Sequence, residues 1–251
     1  MADRPIIMSG PMVRALLDGR KTMTRRVIKR LLRFGPITEF GRSTTPGYDW
    51  CFRDREMRRH DLTHDELLSY CPYGVPGDRL WLRETFVIEN TQEYDEIVVE
   101  PQDGRPIRVI DERDWGRCRL IPHYRATEPE PHIVPADVED SFDDRTRWSP
   151  SIFMKRWASR LTLQLTDVRA ERVQDISADD IYAEGTPGAW DDHTPGGKHL
   201  CLVACRAAFI DLWNAINGQK SGCSWDDNPW VWALSFTVIK TNIDQIGERD
   251  V

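Results

Sequence analysis

The segment that most restricts the fold is VPGDRLWLRETFVIE (75–89), a turn that runs straight into a strand. Pro76, Gly77 and Asp78 supply the turn chemistry, and Leu80 and Leu82 follow at alternating positions, with Thr85 continuing the run. Two more strand signals stand well apart from it. Leu161, Leu163, Leu165 and Val168 form the apolar side of a long strand that ends the 151–173 stretch. Trp230, Trp232, Leu234 and Phe236 share one face of NPWVWALSFTVIK (228–240). The best helix is HLCLVACRAAFIDLWNAING (199–218), with an apolar face of Leu202, Cys205, Phe209, Leu212, Trp213 and Ile216 and a stop at Gly218. Strands that are not each followed by a helix do not build a doubly wound sheet. The expected fold is α+β: about five or six strands in a small, closed or nearly closed β-barrel, with two or three flanking helices.

The remaining elements are shorter. PIIMSG (5–10) reads as a buried strand. In the helix that follows, Pro11 opens, Met12, Ala15 and Leu16 give the stripe, and Gly19 stops the run. TMTRRVIK (22–29) reads as a strand whose charges point outward. ISADDIYAEG is a short helix with Ser177 as cap, Asp180 at the third position and Gly185 at the end. Two stretches read as surface insertions into one domain spanning 1–251. Residues 31–75 are rich in Gly, Pro and Arg and carry a capping box in THDELL, Thr63 with Glu66. Residues 90–147 are polar, acidic and Pro-rich, with one hairpin near 119–126.

The formal net charge is -7, which argues against a surface coated for bulk duplex binding. The first 35 residues nonetheless hold nine basic residues against Asp3 and Asp18, and GRKTMTRR (19–26) concentrates four of them. A basic patch on an acidic body suits a confined anionic ligand. No apolar run reaches the length of a membrane span and the N-terminus lacks a signal-peptide core, so the expected setting is the cytoplasm, with no membrane partner. The six cysteines form no Cys-x-x-Cys pair, so they are expected as free thiols, with Cys201 and Cys205 on a buried helix face. The histidines and the acidic run ADVEDSFDD (136–144) read as surface polarity rather than metal ligands.

Several blocks taken together resemble the ASCH domain proteins of the PUA-like superfamily, in particular the long versions of bacteriophages and prophages. They are PIIMSGPMVRALLDGRKTMTRR, YGVPGDRLWLRETF, RWASRLTLQLTDVRAERVQDIS, AEG, FIDLWNAING and NPWVWALSF, and they cover the chain outside its insertions. The resemblance implies a PUA-like barrel with a cleft, and association with RNA or nucleotides. Some small bacterial members are amidohydrolases that remove the acetyl group from the exocyclic amine of acetylcytidine; others are reported as ribonucleases. In the amidohydrolases a Lys and a Thr occur in a GRKT-x-T stretch and a Glu lies on a helix after the central strands. Position by position these are Lys21, Thr24 and Glu184, the last in YAEG beside Asp179 and Asp180. The chain departs from the small enzymes in having Arg25 after Thr24, where they place an aliphatic residue, and in being more than twice their length.

Those residues suggest a chemistry. Gly19 lets the chain turn sharply. Lys21 and Thr24 would face opposite sides of a strict strand, so both reach one cleft only if Lys21 belongs to the turn. Burial and the cations Arg20, Arg25 and Arg26 would lower the Lys21 pKa and let it take the Thr24 proton. Glu184 would protonate the leaving amine or hold a water, and backbone N–H groups or Arg83 would meet the oxyanion. Neither metal nor cofactor is called for. The plainer reading is a solvated edge with salt bridges and Thr24 as a β-former. Trp81 and Arg83 share a face opposite Glu84; they either stack on and clamp a base, or plug the barrel end while Arg83 meets an acid. Arg20, Arg26, Trp81, Arg83 and Glu84 are thus the expected substrate-binding set, for a modified nucleoside or single-stranded nucleic acid. A non-catalytic binding module and a ribonuclease using Lys21 and Glu184 are the alternatives. Trp157, Trp213, Trp230 and Trp232 are expected in the core.

Overall fold

The computed structural model describes residues 2–92, 105–112, 116–130, 147–186 and 198–246. The acidic run 136–144, His132, His193 and the side chain of Cys201 lie outside the described residues. The protein is α+β and mostly strand. In chain order the strands are β1 (Asp3–Ile7), β2 (Met23–Val27), β3 (Arg30–Leu31), β4 (Gly35–Pro36), β5 (Thr38–Arg42), β6 (Trp50–Arg53), β7 (Arg59–Leu62), β8 (Arg79–Arg83), β9 (Phe86–Gln92), β10 (Arg108–Glu112), β11 (Gly116–Tyr124), β12 (Thr162–Arg172) and β13 (Trp230–Ile239). The helices are α1 (Gly10–Leu17), α2 (His64–Ser69), α3 (Ala178–Ala183) and α4 (Lys198–Asn217). None is long and apolar enough to cross a membrane.

The residues pack as two compact units. The first comprises Met1–Ala2, Asp18–Asp78 and Gln164–Thr237. In it β2 and β13 pair antiparallel, with Thr24 opposite Leu234 and Arg25 opposite Ala233, and β12 is the other neighbour of β13. A strand with neighbours on both edges and cover on both faces is apolar throughout. Accordingly Val231, Trp232, Ala233 and Leu234 are all fully buried, whereas alternation alone marks only Trp232 and Leu234. Against this sheet packs α4, whose Cys205, Phe209 and Trp213 repeat every four residues and join Val173, Ile176, Ile181, Trp225 and Val231 in one core. Trp213 satisfies its indole by donating to the Cys223 carbonyl at 2.9 Å. Ile216, expected on this face, is exposed, because the core ends one turn before the helix does. At Gly218 a Cβ would sit 2.6 Å from the Asn214 carbonyl oxygen, so only glycine fits where the helix stops.

The stretch expected as an insertion is structured in its own right. It holds the β3–β4 pair and a three-stranded antiparallel sheet, β5-β6-β7. Alternation in β6 buries Trp50 and Phe52, with Cys51 and Arg53 on the other side. Arg42 lies 4.0 Å over the Trp50 ring, which stacks on Phe40. The capping box is complete: the Thr63 N–H donates to Glu66 Oε2 at 2.9 Å and the Glu66 N–H donates back to Thr63 Oγ1.

The second unit comprises Asp3–Leu17, Arg79–Leu163 and Val238–Val251. Here β1 runs parallel to β8, from Asp3 beside Arg79 to Ile7 beside Arg83. Pro5 sits in β1 because that strand is an edge and needs no donor on its outer side. β8 is central, its Leu82 N–H donating to the Leu161 carbonyl at 3.0 Å where β12 approaches. The predicted hairpin at 119–126 is the end of β11, which pairs antiparallel with both β9 and β10. Phe86, Tyr124, Met154 and Ala158 form a local core beside it. The strand order is β12-β13-β2 in the first unit and, with the Thr162 end of β12, β1-β8-β12 in the second, and among the described residues neither β1 nor β2 has a further strand partner. No closed barrel is found among the described residues.

Candidate functional site

Gly19, at φ +73, turns the chain out of α1, and Lys21 then stands outside the β2 ladder in an isolated bridge with Glu184. Backbone bonds fix the bridge on both sides: the Thr22 N–H donates to the Ala183 carbonyl at 2.8 Å, and the Phe236 N–H to the Thr22 carbonyl at 2.9 Å. Glu184 is the C-cap of α3. Ser177 opens that helix by accepting from the Asp180 N–H, and Gly185, at φ +69, ends it. The Lys21 ammonium donates to the Glu184 carbonyl at 2.7 Å and to its Oε2 at 2.8 Å. Lys21 is 1 % exposed and Glu184 6 %.

The predicted outward direction of the β2 charges fails at Arg25, which is 4 % exposed. Arg25 shares a face with Met23, its Nη1 lying 3.3 Å from the Met23 sulfur. On that face it gathers three carboxylates. Nη1 reaches Glu184 Oε1 at 3.3 Å, Nη2 reaches Asp180 at 2.5 Å, and Nε and Nη2 reach Glu171 at 3.0 and 2.6 Å. Arg169 closes the cluster on Asp180 at 3.3 Å. Lys21 and Arg25 thus face Glu171, Asp180 and Glu184, with the exposed Arg169 shared between Asp180 and Asp167, and this pairing is what allows the buried charges to leave water. Burial pushes the Lys21 amine below the ordinary lysine range; Glu184 pulls it back up, and Arg26 and Arg25 press it further down. For Arg25 burial also works downward, but Glu184, Glu171 and Asp180 outweigh it and raise its pKa.

The structure brings Lys21 and Glu184 together and does not join Thr24 to them. Thr24 is 4 % exposed, sits in the ladder opposite Leu234, and points to the face away from Met23 and Arg25. Its hydroxyl makes no hydrogen bond among the described residues. Arg20 is engaged by its chain neighbour Asp18, at 3.2 Å from Nε and 2.7 Å from Nη2. Arg26 is half-buried and close enough to depress Lys21.

The other expected binding residues lie in the second unit. Trp81 is 7 % exposed, and the Arg83 guanidinium covers its ring at 4.8 Å. Arg83 also donates to the Met154 carbonyl at 3.2 Å. Glu84 is 2 % exposed and gripped in a fork by Arg160, Nε at 2.9 Å and Nη2 at 3.0 Å. Burial raises the Glu84 pKa, and Arg160 opposes the rise. Trp81 is therefore packed inside its unit rather than presented to a base.

Glu171, Asp180 and Arg169 were not among the expected site residues. Their sequence signal is faint: Arg169 and Glu171 sit two apart on β12 and so share a face, and Asp180 occupies the third position after the Ser177 cap. No group of three or more His, Cys, Asp and Glu side chains is arranged to hold a metal among the described residues. No family model, curated protein or solved structure matches this chain.

Proposed function

We propose that the first unit carries a nucleoside-directed site of the ASCH kind, in which Lys21 and Glu184 act on an amide at the exocyclic amine of a modified pyrimidine. The observation that carries this reading is the desolvated contact of 2.8 Å between Lys21 Nζ and Glu184 Oε2, made by residues 163 positions apart. An amine pushed below its ordinary range gives up its proton more readily and can then accept one, as a general base must. The resemblance assigns the nucleophile to Thr24. Lys21 first passes its proton to Glu184 and, now neutral, turns to take the hydroxyl proton; Thr24 Oγ1 attacks the acetyl carbon, and the C–N bond breaks as the protonated Glu184 delivers that proton to the departing amine. Water then releases acetate from the threonine ester. The associated fold is a PUA-like barrel with β12, β13 and β2 as one wall, in a phage- or prophage-type protein of the bacterial cytoplasm.

One observation favours a second reading, a binding module without turnover. Both Lys21 hydrogen bonds end on Glu184, and Thr24 faces the other way. Incubation with N4-acetylcytidine separates the two. Hydrolysis predicts acetate release that falls by about 10²-fold or more in both Lys21→Ala and Glu184→Gln, with circular dichroism confirming folded variants. Equal turnover in Lys21→Ala ends the hydrolytic reading. Salt-dependent nucleoside or oligonucleotide binding without product establishes the second. Neither product nor binding reduces the cluster to a structural ion network.

A further inference from the structure

The first unit carries a second set of cations, and it shares no residue with the Lys21 cluster. Its centre is Trp230, at the start of β13. Trp50 meets the Trp230 ring edge-on at 5.0 Å and Phe40 meets it edge-on at 6.0 Å. Two guanidinium groups lie over these rings. Arg172 is 4.5 Å from the Trp230 ring, and Arg42 is 4.0 Å from Trp50 and 5.7 Å from Trp230. Arg172 is anchored through Nη1, which donates to the Asn228 carbonyl at 2.7 Å. The backbone leads from this platform to further cations. The Ile28 N–H donates to the Trp230 carbonyl at 2.9 Å, the Ile37 N–H donates to the Lys29 carbonyl at 3.0 Å, and Arg30 stands opposite Pro36 in the β3–β4 pair. Arg33 repeats the arrangement, 5.9 Å over Phe34 and donating to the Tyr70 hydroxyl at 3.3 Å.

These charges are unanswered. Across β5, β6, β7 and their turns the acids are already engaged: Glu39 by Arg53, Asp54 and Glu56 by Arg58, Asp61 by Arg59, and Asp49 by the His64 N–H. Lys29, Arg30, Arg33 and Arg42 are exposed and Arg172 is half-buried, and none of these five has an ion pair among the described residues. In a chain of net charge -7, such a run of uncompensated cations is a local field that attracts an anion from outside.

We propose that this surface binds single-stranded nucleic acid. The cations are strung along the chain from Arg33 to the Trp230 platform instead of closing on one point, which matches charge repeated along a phosphate backbone. Three of the five lie over aromatic rings. A guanidinium held there keeps N–H groups for phosphate oxygens, while its plane and the partly exposed rings of Phe34, Phe40 and Trp230 offer unpaired bases a place to stack. A duplex hides its bases and an acidic peptide has none, so each meets the charge alone. The surface acts independently of whether Lys21 is catalytic.

Fluorescence anisotropy of the whole protein with labelled single-stranded DNA and RNA of about twelve nucleotides tests it, beside the duplex of the same sequence and an oligoglutamate of equal charge. The expected result is tightest binding of a single strand, with a slope of log affinity on log salt near -3.5 for five phosphate contacts, at about 0.7 per contact. Arg30→Glu and Arg42→Glu, both at exposed positions, each weaken binding at least tenfold, and together they bring the slope to about -2. Lys220→Glu makes the same charge change at an exposed position that has no such ring, and leaves affinity and slope near those of the wild type. An excess of N4-acetylcytidine does not displace the oligonucleotide; displacement would move the contact to the Lys21 cluster and overturn the proposal. It is equally overturned if neither strand binds at low salt, if the duplex or the oligoglutamate binds as tightly as the single strand, or if Lys220→Glu weakens binding as much as Arg42→Glu.

Discussion

Replacing Lys21 by Met isolates the energetics of the buried cluster. The side chain is almost wholly enclosed and donates twice to one residue, to the Glu184 carbonyl at 2.7 Å and to Oε2 at 2.8 Å. Methionine fills a similar volume but offers no donor. The Glu184 carboxylate is then left with Arg25 Nη1 at 3.3 Å, a longer contact than the one removed. An unsatisfied buried group costs about 1–3 kcal/mol, a charged one more, and no longer burying the ammonium returns part of that. The net lies near the roughly 3–5 kcal/mol typical of removing one partner from a buried pair. For a chain of this size that lowers the melting temperature by roughly 6–20 °C. The double variant Lys21→Met/Glu184→Leu removes the stranded charge, and Arg25 keeps Glu171 and Asp180. It is expected to be more stable than the single variant despite carrying two changes. Urea unfolding followed by circular dichroism and tryptophan fluorescence, with coincident transitions required, measures both. A single-variant cost below about 1 kcal/mol, or a double variant no better than the single, would show that the ammonium does not compensate Glu184.

Two further outcomes follow from local geometry. His123 is held between Glu89 and Glu128, each at 2.7 Å; the Glu89 bond raises its pKa above 6.5, burial opposes, Glu128 adds to the rise, and Arg105 lies 3.3 Å from Nδ1. The stabilisation this gives is complete below the unfolded value and fades as pH climbs through the higher folded one, so His123→Gln is expected to destabilise more at pH 6 than at pH 9 in urea melts, and a deficit that does not change with pH would contradict it. Thr63→Ala removes the hydroxyl half of the α2 capping box, leaving the backbone N–H to Glu66, and should cost about 1 kcal/mol, read as a lower urea midpoint at unchanged slope.

The fold was legible where the signals were local. Thr63 with Glu66, Ser177 with Asp180, and the four-residue rhythm of Cys205, Phe209 and Trp213 all form through contacts within a turn or two, and the structure shows each. The 31–75 stretch misled because its strands are two to five residues long and rich in Arg and Asp. Their pairing lies in turns and aromatic contacts that no periodicity reveals. Phe34 meets Phe52 edge-on at 4.8 Å, Arg42 covers Trp50, and Asp54 accepts from Arg58 while bonding His60. Trp81 misled for a different reason. Alternation gives a strand two faces but cannot say that both are covered, and β8, with β1 on one side and β12 on the other, buries Leu80, Trp81 and Leu82 alike.

The candidate site was only half written in the spacing. Lys21 and Glu184 were joined through a resemblance, since no periodicity links residues 163 apart. One sign of the cluster was nonetheless present in TMTRRV. If Met23 points inward, a two-residue period sends Arg25 inward with it, and an inward arginine needs carboxylates waiting on the same side. The acids that answer it stand on β12 and α3, where Glu171 follows Arg169 on one face and Asp180 and Glu184 lie one helical turn apart. Arg26, one position on, falls on the opposite face and stays half-buried. The same logic places Thr24 with Arg26, away from Lys21, because a strand cannot turn adjacent side chains to one side. The charge on the inward face therefore organises the first unit whether or not the unit is catalytic. Catalysis by Thr24 additionally requires that Lys21 leave Glu184, so turnover should respond to anything that loosens that bond.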